Sequence, residues 1–336
     1  MINIGIIGVG GIAGVHLASY SALKEQANVV ALCDIMPERS QGKSEAVTNL
    51  GQNSGVKVHA TAYANYHDLI ADSAVQAVDI CLPTDLHAEV AIAALESGKH
   101  VLCEKPMALT IEQCDRMIAA ADASNRILMI AQCIRFWPEY AYVKALAQNG
   151  TYGKITDAVF SRLSPLPTWT ADGWYLQAER SGGAVQDLHI HDVDYLLYLL
   201  GKPQTVSVQA RQQQERIDFV SVNYHFGDDL SVRIDGGWDY PPSLPFRMSF
   251  LIRFEGATVE WDSLRGPLKI YPANGEVISP ELVKGDAYQL EIEYFLHCIA
   301  TNTKPIIVTP EDARESVRLV KAEVEALRVG KTVCYQ

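Results

Sequence analysis

The chain opens on an apolar run that leads directly into a glycine-rich loop. Residues 2–7 are typical of a short buried strand, residues 8–14 of a tight turn, and the residues that follow have helical spacing. Gly8, Gly10 and Ala13 make the pattern G-x-G-x-x-A. The first glycine permits the turn, the second lets the backbone approach a pyrophosphate, and the small third residue lets the helix pack closely on the sheet. This order predicts a dinucleotide-binding unit.

Strand-like and helix-like segments then alternate along the first part of the chain. Further strands are predicted at residues 29–33, 77–82, 100–103 and 127–132, with amphipathic helices at 87–97 and 111–123. Such alternation implies right-handed crossovers and a doubly wound parallel sheet. We therefore predict an α/β, Rossmann-type NAD(P)-binding domain over residues 1–134.

A different pattern begins near residue 155. Short β-branched or alternating runs separated by Gly, Asp and Pro occur at residues 155–162, 205–211, 219–226, 230–236, 247–254 and 258–261. This spacing favours an antiparallel meander. Helical stretches at 191–200, 287–300 and 310–329 interrupt or close it. We predict a second, α+β domain over residues 135–336.

Charge and cysteine usage exclude several classes of partner. The formal net charge of −12 argues against nucleic acid and anionic membrane surfaces as partners. No apolar stretch is long enough to span a bilayer, and Met1 leads into the first strand without a basic leader. The seven cysteines are scattered and form no CxxC pair, which indicates a reducing compartment. We expect a cytoplasmic protein.

An acid at the end of the second predicted strand supports the nucleotide site. Asp34 follows the loop at about the 20-residue spacing expected of a ribose-binding carboxylate, although it could instead cap a helix. Its charge would repel a 2′-phosphate and so favours NAD, whereas nearby Arg39 leaves NADP open. Pro83, Thr84 and His87, at the end of the next strand, would lie on the nicotinamide side in such a fold. His87 could also simply begin its helix.

The tripeptide Glu104-Lys105-Pro106 follows the predicted strand at 100–103. Open α/β sheets bind ligands beyond the carboxyl ends of their strands, so Lys105 is placed to touch substrate or cofactor. The proline biases the lysine toward an extended conformation and raises the chance of a cis bond. An ordinary strand-end turn with a solvated lysine would have the same sequence.

Asp187 and His191 form a second candidate constellation. They are four residues apart, so at a helix start they share one face, where the carboxylate can orient the imidazole. An imidazole that titrates near neutrality suits removal of a hydroxyl proton, and Lys105 could stabilise the developing alkoxide. A capping aspartate beside a packed histidine is the alternative.

The same segment could be interpreted as a metal site. The possible ligands are Asp187, His189, His191, Asp192 and Asp194. Residues two apart on a helix diverge, however, and no distant His/Cys cluster completes a coordination shell. We predict no metal.

Taken together, these residues resemble the glucose-fructose oxidoreductase and inositol dehydrogenase family (Gfo/Idh/MocA) over essentially the whole length. The matching motifs are the glycine loop continuing to His16, Asp34, Pro83-Thr84 with His87, Glu104-Lys105-Pro106, Arg135-Phe136, Gly182-Gly183, Asp187 with His191, and Pro310-Glu311-Asp312-Ala313. The resemblance implies a Rossmann domain followed by a domain with a large, mostly antiparallel open sheet, commonly used for homodimer or homotetramer contacts.

The resemblance also implies NAD(P)-dependent oxidation of a ring hydroxyl on a sugar, sugar acid or cyclitol. The implied catalytic set is Lys105, Asp187 and His191. The expected cofactor-binding set is Gly8, Gly10, Ile12, Ala13, Asp34, Arg39, Pro83, Thr84, His87, Glu104 and Lys105. Two other activities stay open, an NAD-dependent glycosidase that works by transient oxidation and a non-catalytic NAD-sensing regulator.

Three further residues are candidate substrate contacts. His189 stands where this family often has glycine, so its imidazole could narrow the pocket or add a hydrogen bond to substrate. Trp174, beside Tyr175, could stack on a sugar face or simply pack its loop on the sheet. Arg162 is the third.

Overall fold

The computed structural model describes residues 1–41, 47–48, 51–52, 58–168, 170, 172–227 and 230–335, with the backbone alone at 47–48 and 51–52. The chain forms two compact units. Unit 1 comprises Met1–Phe136 and Gly285–Arg314, and unit 2 comprises Trp137–Lys284 and Glu315–Gln336. This division differs from the predicted one because residues 285–314 belong to unit 1.

Unit 1 alternates strands and helices in the predicted manner. Its elements are β1 (Ile2–Ile7), α1 (Gly11–Ala22), β2 (Ala27–Cys33), α2 (Pro37–Ser40), the short pair β3 (Val47–Thr48) and β4 (Gly51–Gln52), β5 (Thr61–Tyr63), α3 (Tyr66–Ala71), β6 (Ala77–Ile80), α4 (Thr84–Glu96), β7 (His100–Glu104), α5 (Ile111–Ser124), β8 (Leu128–Ala131) and a 3-10 turn (Cys133–Phe136). The sequence pattern did not predict β5, whose three residues are too few to show a period.

Six parallel strands form the sheet of unit 1, in the order β5-β2-β1-β6-β7-β8. The order reverses at β1, which is the doubly wound topology of dinucleotide-binding domains. Strands β6 and β8 are buried along their whole length because helices cover both faces of such a sheet. The α/β fold class is thus confirmed.

Helix α10 (Ala287–Thr301) comes late in the chain but belongs to unit 1. The periodicity of its sequence does not predict this. Its buried Ile292, Phe295 and Leu296 share one hydrophobic cluster with Ile4 and Ile6 of β1. An amphipathic pattern predicts that a face is buried but not which sheet buries it.

Unit 2 is built around a second sheet. Its elements are α6 (Pro138–Asn149), β9 (Ile155–Pro165), a 3-10 turn (Trp174–Leu176), α7 (Ala178–Ser181), α8 (Gly183–Asp187), α9 (Ile190–Leu200), β10 (Thr205–Gln213), β11 (Arg216–His225), β12 (Ser231–Tyr240), β13 (Arg247–Phe254), β14 (Ala257–Asp262), β15 (Lys269–Pro272) and β16 (Val333–Cys334). Helix α11 (Pro310–Val329) begins in the segment assigned to unit 1 and continues into unit 2. None of the described helices is both long and apolar enough to cross a membrane.

The eight strands of this sheet run in the order β15-β14-β13-β9-β12-β11-β10-β16. The sheet is mostly antiparallel, as predicted, but it is not a simple meander. The first strand, β9, lies between β13 and β12 and runs parallel to β12. Local patterning cannot specify this, because the position of β9 depends on pairing with strands about 70 to 90 residues later in the chain.

Candidate cofactor and catalytic sites

The glycine loop of unit 1 uses its first two glycines differently. Gly8 has φ +86°, and a Cβ at this position would lie 2.6 Å from the Cys81 carbonyl oxygen, so the turn requires glycine. Gly10 precedes α1, and a Cβ there would meet none of the described residues within 4 Å. Helix α1 has no side-chain cap and no acid in its first turn, so its amino terminus can bind an anion. The open space beside Gly10 therefore fits a pyrophosphate group.

The same substitution, glycine to alanine, therefore tests a structural role at Gly8 and a binding role at Gly10. We expect Gly8→Ala to lower the free energy of unfolding by about 1–3 kcal/mol, because the strained φ and the backbone clash must both be accommodated. Gly10→Ala is expected to leave folding unchanged and to raise the Kd for NADH about tenfold or more, since the added methyl occupies the pyrophosphate space. Denaturant unfolding and fluorescence titration measure the two effects. Equal loss of stability in both variants would contradict this assignment.

Asp34 lies directly after β2 and is mostly buried. Its Oδ2 accepts a hydrogen bond from the Val9 backbone N–H at 2.8 Å, and its Oδ1 accepts one from the Met36 N–H at 2.8 Å. The carboxylate is thereby fixed against the glycine loop, and each oxygen keeps a lone pair for a ribose hydroxyl. Arg39 is half-buried on α2.

The predicted nicotinamide-side residues lie at the start of α4. Pro83 precedes the helix and Thr84 begins it. The Thr84 hydroxyl is buried with no hydrogen-bond partner among the described residues. His87 differs: its Nδ1 is 2.8 Å from the Pro106 carbonyl oxygen and its Nε2 is 2.9 Å from that of Leu82. Both nitrogens of His87 thus contact the protein backbone.

Lys105 follows β7 as predicted, and the Lys105–Pro106 bond is cis. The lysine is half-buried, and its backbone N–H donates to Glu104 Oε2 at 3.0 Å. Glu104 in turn lies beside a buried histidine: the His16 Nε2 is 3.1 Å from Glu104 Oε1, and its Nδ1 is 2.8 Å from Asp79 Oδ2. Helix α1, β6 and the end of β7 are therefore joined through one imidazole.

The charge state of His16 follows from these contacts. Burial disfavours the charged ring, but the Asp79 carboxylate and the Cys81 thiol outweigh it and raise the pKa of His16 well above its usual value. His16, Asp79 and Cys81 have potential metal-ligating atoms within 4.8 Å of one another. Burial raises the pKa of the Cys81 thiol. The cluster is best described as an ion-paired hydrogen-bond network.

Removal of this imidazolium is expected to destabilise the protein in a pH-dependent way. The folded-state pKa of His16 lies above the unfolded value near 6.5, so its stabilisation is complete below about pH 6.5 and is lost as pH rises through the folded pKa. We expect His16→Gln to lower the free energy of unfolding by about 3 kcal/mol at pH 6 and by less at alkaline pH. Denaturant unfolding across this range, with His225→Gln at an exposed histidine as the control, measures the difference. A constant loss at every pH would contradict this explanation.

In unit 2, Asp187 and His191 lie on two helices rather than one. Asp187 ends α8 and is buried, whereas His191 lies in the first turn of α9 and is half-buried. The junction residues Leu188 and His189 keep right-handed helical angles, with φ −94° and −67°. The backbone therefore stays close to a helical path between the two predicted catalytic residues.

Buried polar contacts anchor this junction and α9. Arg162 of β9 makes a bidentate pair with Asp192, Nε to Oδ2 at 2.8 Å and Nη2 to Oδ1 at 3.1 Å. The Ser316 hydroxyl donates to Asp194 at 2.9 Å. The side chains of Asp192 and Asp194 thus point to different elements, which argues against the metal interpretation of this segment.

Arg162 and His189 do not fit the substrate contacts predicted for them. Arg162 is 2% exposed and its guanidinium pairs with Asp192, while the His189 ring is completely buried beside Glu323. Glu323 was not among the predicted site residues. Its signal was a glutamate three residues after the buried Val320, on the apolar face of α11.

Trp174 and Tyr175 stack on each other, with ring centroids 4.0 Å apart and planes at 29°. Tyr175 also makes an edge contact with Trp238, at 6.0 Å between centroids. Both rings of the stack are half-buried, so part of their surface remains accessible. Stacking of Trp174 on a sugar stays a prediction.

Two family models match most of the chain. The first, an oxidoreductase family with an NAD-binding Rossmann fold, matches residues 2–132, and the second, the Gfo/Idh/MocA C-terminal domain, matches residues 140–260. The chain belongs to the Gfo/Idh/MocA oxidoreductase family. The predictions of this family and of an NAD-binding oxidoreductase are thereby confirmed.

Several dehydrogenases are similar to this member of the family. D-xylose 1-dehydrogenase (NADP+) of Haloarcula marismortui is 28% identical over 86% of this chain and 82% of its own length. Levoglucosan dehydrogenase of Pseudarthrobacter phenanthrenivorans is 30% identical over 61% and 53%. Myo-inositol 2-dehydrogenase of Thermotoga maritima is 32% identical over 60% and 55%. The matches to the last two thus span about half of those proteins.

Solved structures of the family share the fold along the entire chain. A levoglucosan dehydrogenase in complex with NADH superposes with a TM-score of 0.85 at 21% identity, covering 100% of this chain and 99% of its own. An aldose-aldose oxidoreductase from Caulobacter crescentus, complexed with glycerol, gives 0.84 at 24% identity, covering 99% of each chain.

Proposed function

We propose that the protein is a dehydrogenase that transfers a hydride between NAD(P) and a ring hydroxyl carbon of a sugar, sugar acid or cyclitol. The observation that supports this most strongly is the cradle in unit 1, where open space beside Gly10, the uncapped α1 terminus and the fixed Asp34 carboxylate match a dinucleotide. The similar xylose, levoglucosan and inositol dehydrogenases support the substrate class.

The proposed chemistry assigns one role to each of three residues. Bound nicotinamide supplies the acceptor for the hydride, which leaves the carbinol carbon with the electron pair of its C–H bond. The His191 imidazole takes the hydroxyl proton as the carbonyl forms. The Lys105 ammonium stabilises the negative charge that develops on that oxygen. Asp187 orients and tunes the imidazole.

Asp34 is proposed to favour NAD over NADP. Its anionic carboxylate suits the two ribose hydroxyls and repels a 2′-phosphate. Asp34→Asn removes that charge and retains an oxygen for the Val9 N–H. We expect this change to lower the ratio of NAD to NADP efficiency about tenfold or more, as for loss of one charge-assisted hydrogen bond. Initial rates with each cofactor measure the ratio, and an unchanged ratio would remove Asp34 from the specificity site.

A substrate screen tests the proposed function. Purified protein is incubated with NAD or NADP and a panel of aldoses, uronates, inositols and other polyols, and NADH or NADPH is followed by absorbance. Net reduced cofactor is the expected result. Cleavage of aryl glycosides without net NADH would favour the glycosidase, and NADH binding without turnover on any compound would favour a regulator.

The proposal also includes the oligomeric state and the cellular compartment of the protein. We propose a homodimer or homotetramer formed through the eight-stranded sheet, on which Leu251 and Tyr271 are exposed. A monomeric mass in solution would contradict it. A reducing compartment such as the cytoplasm is supported by the seven cysteines, which are all free thiols and of which six are buried.

A further inference from the structure

His189 lies at the junction of α8 and α9, between the proposed catalytic residues. Its backbone N–H donates to the Ala184 carbonyl at 2.8 Å and so closes α8. Its own carbonyl accepts from the Asp192 and Val193 N–H groups, at 3.1 and 3.2 Å, and so begins α9. Any displacement of His189 must therefore move the end of one helix and the start of the other.

The His189 ring reaches into the interior of unit 2, where two other elements meet it. Its Nε2 lies 3.1 Å from the Tyr224 hydroxyl oxygen on β11 and 3.1 Å from Glu323 Oε2 on α11. The Tyr224 hydroxyl donates to Glu323 Oε1 at 2.7 Å. Burial and the Glu323 carboxylate raise the pKa of Tyr224 well above its usual value, so this hydroxyl keeps its proton. Nε2 must then carry a hydrogen, because both of its neighbours present oxygen lone pairs.

The other side of the ring rests on the sheet. Nδ1 has no hydrogen-bond partner among the described residues. A Cβ built on Gly236 of β12 would lie 2.8 Å from this nitrogen and 2.9 Å from His189 Cβ. The tautomer with its hydrogen on Nε2 suits this position, because an N–H at Nδ1 would be buried without an acceptor. The histidine therefore fits only because β12 has glycine here.

We propose that His189 is a positioning residue, which sets the location of Asp187 and His191 by joining the α8–α9 junction to α11 through Glu323 and to β12 at Gly236. The proposal rests on the proposed function for the roles of Asp187 and His191. Under this proposal His189 does not contact the substrate. Its ring has no exposed surface, so it can affect the site only through the residues that surround it.

A double-mutant cycle tests the contact with the sheet. We expect His189→Gly to lower kcat about 10- to 100-fold with little change in the Kd for NADH, since a misplacement of about 1 Å can cost about 10²-fold. Gly236→Ala should lower kcat about tenfold in the native background, and less than about twofold when His189 is already glycine, because the clash is gone. His225→Gly, at an exposed histidine on β11, is the matched control and should retain native kcat. Equal effects of Gly236→Ala in both backgrounds would overturn the proposal.

A second measurement needs no turnover. In protein labelled at histidine, the His191 ring signals, assigned with His191→Asn, should shift in His189→Gly and in the isosteric Glu323→Gln, and should stay in place in His225→Gly. Glu323→Gln keeps the side-chain volume and serves if His189→Gly does not fold. Unchanged His191 signals in folded variants would overturn the proposal. Failure of every substrate in the wild-type protein would count against the proposed function alone.

Discussion

Replacement of His191 by alanine is expected to lower kcat by about 10²–10⁴-fold, the usual contribution of a positioned general acid/base. The physical reason is that the hydroxyl proton loses its acceptor while the hydride leaves the same carbon. The Kd for NADH should stay within about threefold, because the glycine loop and Asp34 belong to unit 1 and are untouched. Initial rates on a substrate found in the screen, together with NADH titration, measure both quantities.

His225→Ala provides the control for this substitution, since it removes an exposed histidine from the same unit. Its kcat should match that of the native protein. Near-full turnover in His191→Ala would refute the assignment of the base. A parallel loss of NADH binding would show instead that the substitution disturbs the fold.

Replacement of Arg162 by methionine is expected to lower the free energy of unfolding by about 3–5 kcal/mol. The substitution leaves the Asp192 carboxylate, which has no exposed surface, without its bidentate partner. A buried, unpaired charge must then be desolvated without compensation. Chemical unfolding followed by fluorescence measures the loss.

Two further variants test whether the loss of stability comes from breaking the buried ion pair. The double substitution Arg162→Met with Asp192→Leu should recover much of the stability, because a buried ion pair can often be replaced by packed apolar side chains. Arg211→Met breaks the exposed pair of Arg211 with Asp239 and should cost only about 0–1 kcal/mol. If Arg162→Met and Arg211→Met lowered the free energy of unfolding equally, the buried pair would contribute no more to stability than the exposed one.

The parts of the fold that local chemistry determines could be predicted closely. The bounds of β1 and β13 agree with the predicted runs residue for residue, because each run alternates or ends at a turn residue. The turn at Gly8 was predictable because a positive φ and a close carbonyl leave room for no other residue. The position of Lys105 directly after β7 followed from the same strand and helix alternation.

The partners of polar side chains could not be predicted in the same way. Arg162 and His189 have the chemistry of sugar-binding residues, and only the tertiary structure shows that Asp192 and Glu323 occupy them. One partner of His189, Glu323, is 134 residues away along the chain. No periodicity links two positions at that separation, because hydrophobic patterns report burial of a face and not the identity of what it meets.

The sequence by itself determined the family, the parallel sheet with its dinucleotide loop, and the residue types available for hydride transfer. These depend on short motifs whose chemistry acts over a few residues. Only the tertiary structure decided that α10 joins the first unit, that β9 lies in the middle of the second sheet, and that the His189 ring is buried beside Glu323. Those outcomes are set by packing between segments distant in sequence, where shape and buried charge must be satisfied together.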